Sequence, residues 1–202
     1  MDKARALRDR VVSSEAEELI LVDEEDREIG HDSKAQAHDG RGVLHRAFSL
    51  FIFNGAGELL LQQRSSRKRL WPLYWSNSCC SHPRRGENME LAIERRLAQE
   101  LGLSSELRFL YKFKYHAQFD DLGAERELCW VYAGFANGAV HANATEVAAW
   151  RYVAPAELDV EVAQHPERFT PWLKLEWERI RRDFDGEIAE LVQGRRREKA
   201  AP

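Results

Sequence analysis

Six side chains in this sequence are well suited to proton and metal chemistry: His38, His45, His82, Glu125, Glu127 and Cys80. Imidazole nitrogens and carboxylate oxygens together suit a hard or borderline divalent ion, and an octahedral site favours magnesium or manganese over tetrahedral zinc. Glu125 and Glu127 are separated by one residue. On an extended segment their carboxylates point to the same face, where a cation or a proton between them relieves their repulsion. Cys80 sits in the polar run Asn77-Ser78-Cys79-Cys80-Ser81-His82, read here as a turn in which a thiol pKa can be tuned. Cys79 and Cys129 have no comparable neighbours and are read as structural. Singly, each residue has a plainer reading: a satisfied histidine, a small buried thiol, two solvated carboxylates on an edge strand. As a set they point to acid–base chemistry beside an ion. Glu100, four residues after Arg96, is either an i,i+4 ion pair or a second metal ligand.

These residues need a scaffold to bring them together. Leu19 to Val22 reads as a strand running into the acidic turn Asp23–Asp26, and Arg46 to Phe53 as a buried strand. Asn54-Gly55-Ala56-Gly57 supplies a hairpin turn, and Glu58 to Gln63 returns. His38 falls in a loop and His45 at the start of the buried strand. Pro72 keeps the aromatic segment Trp71–Trp75 out of a helix. Met89, Ile93, Leu97 and Leu101 recur on one face of a helix over 90–101, which Gly102 ends. Strands follow over 108–115 and 127–135, with Asp120–Gly123 turning between them, then a short strand at 149–153. Pro155 opens a helical turn, and Pro171 starts a long amphipathic helix to about Leu191. The mixture lacks a regular βαβ alternation, so the expected class is α/β in the α+β sense: a mixed β-sheet covered by helices on both faces.

The composition fits one soluble globular domain, with 44% hydrophobic and 32% charged residues and only six prolines in 202 residues. Residues 1–17 are polar, helix-prone and expected to be a flexible N-terminal segment. The catalytic domain is expected over 18–177, with a helix continuation and the basic tail Arg195–Lys199 over 178–202, the tail solvated and frayed. The net charge of −4 gives no general reason to bind nucleic acid, although Arg64 to Arg69 concentrates positive charge locally. No apolar run is long enough to span a bilayer or form a leader, so a cytoplasmic location without membrane association is expected. Three cysteines, two of them adjacent, fit reduced thiols rather than a disulfide framework.

The order His38, His45, Trp71-Pro72, Trp75-Ser76-Asn77-Ser78-Cys79-Cys80-Ser81-His82-Pro83, Glu100-Leu101-Gly102, Tyr115, Glu125-x-Glu127 and Pro171-Trp172 closely resembles the type 1 isopentenyl-diphosphate isomerase family over roughly residues 18–177. The resemblance implies a Nudix-type fold. Laid on the Nudix hydrolase signature, Glu87, Arg95, Leu97, Glu100, Gly102 and Leu103 agree. Ser81 replaces the glycine, and Arg96 and Gln99 replace two helix glutamates. Hydrolysis in that superfamily relies on clustered metal-binding glutamates, so these losses argue against it.

By the same resemblance the reaction moves a double bond, interconverting isopentenyl and dimethylallyl diphosphate by protonation at one carbon and deprotonation at another. Cys80 and Glu127 match the family's acid–base pair, and Tyr115 and Glu125 the groups that relay or position a proton. Trp172 matches an indole whose π face stabilises the tertiary cation by about 2 kcal/mol when desolvated. His38, His45, His82, Glu125 and Glu127 match ligands of a manganese, zinc or magnesium ion. Glu100 and the backbone of Cys80 match a magnesium site that bridges to the phosphates. Lys34, Arg64, Lys68, Ser81 and Arg96 match the diphosphate contacts. The implied partner is a small allylic or homoallylic diphosphate, with the protein a monomer or weak dimer. Three other functions compete: a Nudix hydrolase of nucleoside or prenyl diphosphates, a non-catalytic metal-binding domain, and a cysteine hydrolase built on Cys80 and His82.

Overall fold

Phe48, Leu50 and Ile52 alternate with Ala47, Phe51 and Phe53 along one strand, and all six are buried. A strand apolar on both faces needs cover on both. The computed structural model, which describes residues 9–200 with side chains to 194, supplies it: the first set lies in one core cluster and the second in another. The strand is β3 (His45–Phe53), at the centre of a nine-stranded mixed sheet.

One edge of β3 runs parallel to β8 (Gly123–Phe135) over its whole length, from His45 opposite Glu127 to Phe53 opposite Phe135. The other edge is shared in turn by β1 (Glu18–Val22), by β6 (Cys79–Ser81) and by β4 (Leu59–Arg64), all antiparallel. β2 (Glu28–Ser33) extends the sheet beyond β1. β5 (Trp75–Ser76) and β9 (Val147–Val153) pair with β4, and β7 (Leu107–Phe119) pairs with β8.

Between β2 and β3 lies a five-residue helix, α1 (Lys34–His38), whose first turn Ser33 caps by accepting from the Gln36 N–H. Helix α2 (Met89–Leu101) covers one face of the sheet. It is capped by Asn88, closed by Gly102 at φ 66°, and buries Met89, Ile93, Leu97 and Leu101 as the four-residue spacing predicts. The opposite face is covered by Leu158 of α3 (Pro155–Gln164) and by α4 (Pro171–Asp183) and α5 (Asp185–Ala200). The expected mixed sheet with helices on both faces is present.

Several expectations need correction. The turn after β1 leads into strand β2, and His38 belongs to a helix rather than a loop. The helix expected to run to Leu191 breaks at Phe184, where the ring stacks on Tyr111 with centroids 5.3 Å apart. That break lets α5 lay Ile188 and Val192 into the same core as Trp172 and Trp177, so packing continues well past residue 177. Residues 1–8 lie outside the described residues. Over 9–17 no helix forms: the Arg10 carbonyl accepts from Asn143 Nδ2, the Val12 carbonyl accepts from Arg96, and Ser13 donates to Glu146. The side chains of the basic tail 195–199 also lie outside the described residues. Among the described residues no helix is long and apolar enough to cross a membrane.

Candidate active site

His45 opens β3 and Glu127 lies directly opposite it on β8, while Glu125 two residues earlier faces the same way. His82 follows β6, and His38 ends α1. The loop after α1 turns back through Gly40 and Gly42, both at positive φ, to deliver His45. Gly123 lets β8 pass against α1, since a Cβ there would lie 2.3 Å from the His38 carbonyl oxygen.

The result is one cluster. The available ligand atoms of His38, His45, His82, Glu125 and Glu127 all lie within 4.8 Å of one another. Nitrogen and oxygen donors about 2.1 Å from a common ion stand about 3 Å apart when adjacent and about 4.2 Å when opposite, so side-chain shifts of about half an ångström would close the set on a single divalent ion. Tautomers support the fit. His38 Nδ1 and His45 Nδ1 each lie 2.7 Å from a backbone carbonyl, of Lys34 and Val43, so each Nδ1 carries the proton and each Nε2 turns a lone pair to the cluster. His45 Nε2 is buried with no hydrogen-bond partner, as an atom meant for an ion would be.

Within the cluster the charges partner one another. Burial opposes charging His38, but the Glu125 carboxylate 2.8 Å away holds its pKa up. Burial and the neighbouring imidazoles hold His82 far down. Burial also disfavours the two carboxylates, yet His38 lowers Glu125, and His45 and Tyr115 lower Glu127. Tyr115 donates to Glu127 Oε2 at 2.6 Å, and His82 Nε2 lies 2.9 Å from Glu127 Oε1.

Cys80 does not lie in a turn. It is the middle residue of β6, paired with Ser49 across β3. Two of the polar neighbours that suggested a turn, Asn77 and Ser78, are buried and hold the strand in place. Ser78 donates to the Leu60 carbonyl and accepts from the Ile52 N–H, while Asn77 donates to the carbonyls of Leu50 and Cys79. Burial pushes the Cys80 thiol up to about 12, with Arg64 pulling the other way. Cys79 is fully buried among the residues packed on α2, and Cys129 is buried on the opposite face, as expected of structural thiols.

Cys80, His82, Tyr115, Glu125, Glu127 and Trp172 line one cavity of about 330 Å³, within the usual range of small-molecule pockets. Trp172 Nε1 donates to Ser76 Oγ at 3.0 Å, and its ring packs edge-on against Trp71. The Arg64 guanidinium lies 5.1 Å over the indole, so this ring already faces a cation. Lys34, Arg64, Lys68, Ser81 and Arg96 line the same cavity. Glu100 does not line it. It lies behind, bound by Arg96 at 2.5 Å and by Gln62 at 3.3 Å. Glu87 accepts two bonds from Arg95, at 2.6 and 2.7 Å, so this part of the Nudix pattern survives as a structural clasp.

Sequence reasoning missed three polar residues here: Ser76, which holds the Trp172 indole, Glu146 beside the cations, and Glu176. Glu176 lies on α4 with no exposure, near Cys129 at 3.5 Å, and with one carboxyl oxygen unpartnered. Burial raises its pKa from 4.5 to about 8. Between those values the folded chain keeps a proton that the unfolded chain releases, so this group lowers stability progressively as pH rises from about 4.5 to 8. Glu176→Gln is expected to melt at least about 5 °C higher than the parent at pH 8, with little difference at pH 5. Equal shifts at both pH values in thermal melts would contradict this.

Residues 43–173 match the NUDIX domain family model. The fold is shared with a Deinococcus radiodurans protein of known crystal structure, at a TM-score of 0.61 and 24% identity, covering 74% of this chain and 90% of that one. It is also shared with a MutT NUDIX hydrolase from Burkholderia pseudomallei, at 0.55 and 18%, covering 68% and 98%. Curated relatives are much nearer in sequence. Isopentenyl-diphosphate Delta-isomerase 1 of Photorhabdus laumondii is 43% identical over 80% of this chain and 93% of its own length. The isopentenyl-diphosphate Delta-isomerase of Burkholderia multivorans is 44% identical over 77% and 88%. The chain belongs to the isopentenyl-diphosphate Delta-isomerase family of NUDIX-domain proteins.

Proposed function

We propose that this protein is an isomerase interconverting isopentenyl and dimethylallyl diphosphate in isoprenoid biosynthesis, by a metal-dependent protonation and deprotonation. The observation that carries the proposal is the flanking of one strand by the two proton-transfer groups. Cys80 pairs with β3 on one edge and Glu127 on the other, and both line the same cavity. Such a shift needs a donor and an acceptor on either side of a flat hydrocarbon. One adds a proton to the terminal carbon of the alkene, which leaves a tertiary cation. The other takes a proton from the carbon on the far side of the cation, and the double bond forms there.

Residue roles follow from the surroundings. Tyr115 fixes one oxygen of Glu127 and leaves the carboxylate oriented toward the cavity; Glu125 positions the adjacent proton path. Trp172 lines the cavity, supported edge-on by Trp71, and keeps water from the cation, with its indole face turned to positive charge. His38, His45, His82, Glu125 and Glu127 would hold a divalent ion, manganese, zinc or magnesium, whose positive charge would orient both carboxylates. Lys34, Arg64, Lys68, Ser81 and Arg96 bind the phosphates, and Glu100 with the Cys80 backbone would serve a magnesium ion at that end only once Arg96 releases Glu100, which stands outside the cavity lining. A multiply charged diphosphate does not cross a bilayer, so a cytoplasmic location accompanies this reading.

Against hydrolysis stands Arg96, a buried cation at a position where the hydrolase signature carries a glutamate. The test is to incubate metal-loaded protein with isopentenyl diphosphate and separate the products. Dimethylallyl diphosphate without released phosphate is expected. Monophosphate or inorganic phosphate in its place would overturn the assignment.

A further inference from the structure

We infer that Glu146 is a positioning residue of the diphosphate end: it holds Lys68 and Arg96 side by side at the cavity wall before the substrate arrives. The inference rests on the isomerase reading for the identity of the ligand, and on geometry for the residue. Glu146 is buried at 2% exposure and lines the cavity with both cations. Its Oε2 accepts from Arg96 Nη2 at 2.9 Å and from the Lys68 ammonium, while Oε1 accepts from Ser13 Oγ at 2.8 Å.

The carboxylate stands on a rigid turn. Asn143 Oδ1 accepts from the N–H and the hydroxyl of Thr145, the Asn143 carbonyl accepts from the Glu146 N–H, and the Glu146 carbonyl accepts from the Ser65 N–H. The turn therefore ties the basic loop that carries Lys68 to the carboxylate that orients it. Burial disfavours the Glu146 charge, but Lys68 and Arg96 more than offset this and keep it ionised.

A lysine is a compact charge on a flexible stem, and ordering it on binding costs affinity. A fixed carboxylate that orders Lys68 beforehand removes much of that cost. Arg96 also binds Glu100 at 2.5 Å, so its guanidinium spans two carboxylates and retains donor capacity for a phosphate oxygen. Glu146 thus acts on the phosphates through two other residues, and the hydrocarbon end should not sense it.

Glu146→Gln keeps the shape and the acceptor for Ser13 but removes the charge. In the metal-loaded enzyme, KM for isopentenyl diphosphate is expected to rise about tenfold with kcat within about twofold. The calorimetric dissociation constant of inorganic pyrophosphate with magnesium should rise by the same factor, and Glu146→Asp should restore part of both. Unchanged or tighter pyrophosphate binding would overturn the inference, as would a fall in kcat at unchanged KM. Pyrophosphate binding needs no turnover. A parent protein that binds pyrophosphate but makes no dimethylallyl product therefore sinks the isomerase reading alone.

Discussion

Cys80→Ala is expected to lower kcat for isopentenyl diphosphate by about a thousandfold or more, the upper part of the range for removing a positioned acid or base. Metal content should be unchanged. The thiol is not among the five clustered donors, and among the described residues its one hydrogen-bonding contact is a loose one to Ser76 Oγ at 4.0 Å. The backbone of β6 is held by Asn77 and Ser78 rather than by the thiol, so the strand should survive. Turnover is followed with purified product standards, and metal by elemental analysis of the same sample. A variant that keeps both metal and activity would show that Cys80 is a bystander.

Glu127→Gln should be equally inactive and differ in its metal. Glu127 lies 2.9 Å from His82 Nε2, 3.7 Å from His45 Nε2 and 2.6 Å from the Tyr115 hydroxyl, so its charge serves both ion binding and proton transfer. Loss of one charged ligand is expected to weaken ion binding by at least about 10–100-fold, the cost of removing even an outer-shell partner. Saturating metal should restore occupancy without restoring turnover. Recovery of activity on adding metal would reduce Glu127 to a ligand and take away its proton-transfer role. The two variants together separate jobs that the five-donor geometry alone merges.

Much of this site is legible in the residues, because its determinants are local or periodic. The Glu125-x-Glu127 spacing implies one face of a strand, and in β8 both carboxylates point into the cavity. That strand is central rather than at an edge, so the plainer reading of two solvated carboxylates does not hold. The four-residue apolar period and Gly102 marked α2 almost to the residue. What escaped depends on contacts distant in sequence. α1 has only five residues and little apolar period, yet it sets His38 because β8 passes close at Gly123. Cys80 looked like part of a polar turn because Asn77 and Ser78 are polar. Their side chains are consumed by backbone groups of β3 and β4, which composition cannot reveal. Glu146 left a faint signal, the Asn143-x-Thr145 turn, but nothing local tells that its carboxylate meets cations from positions 68 and 96. The break at Phe184 has only Gly186, two residues on, to announce it locally, and Phe184 stacks on Tyr111 from a position distant in sequence.

The central claim is reversible proton transfer to and from carbon, and exchange with solvent tests it most directly. Metal-loaded protein incubated with isopentenyl diphosphate in deuterated water should yield both isomers carrying carbon-bound deuterium in proton NMR spectra, with label entering as the isomers approach equilibrium. Fully metallated protein that gives no dimethylallyl product and no carbon-bound deuterium would contradict the account.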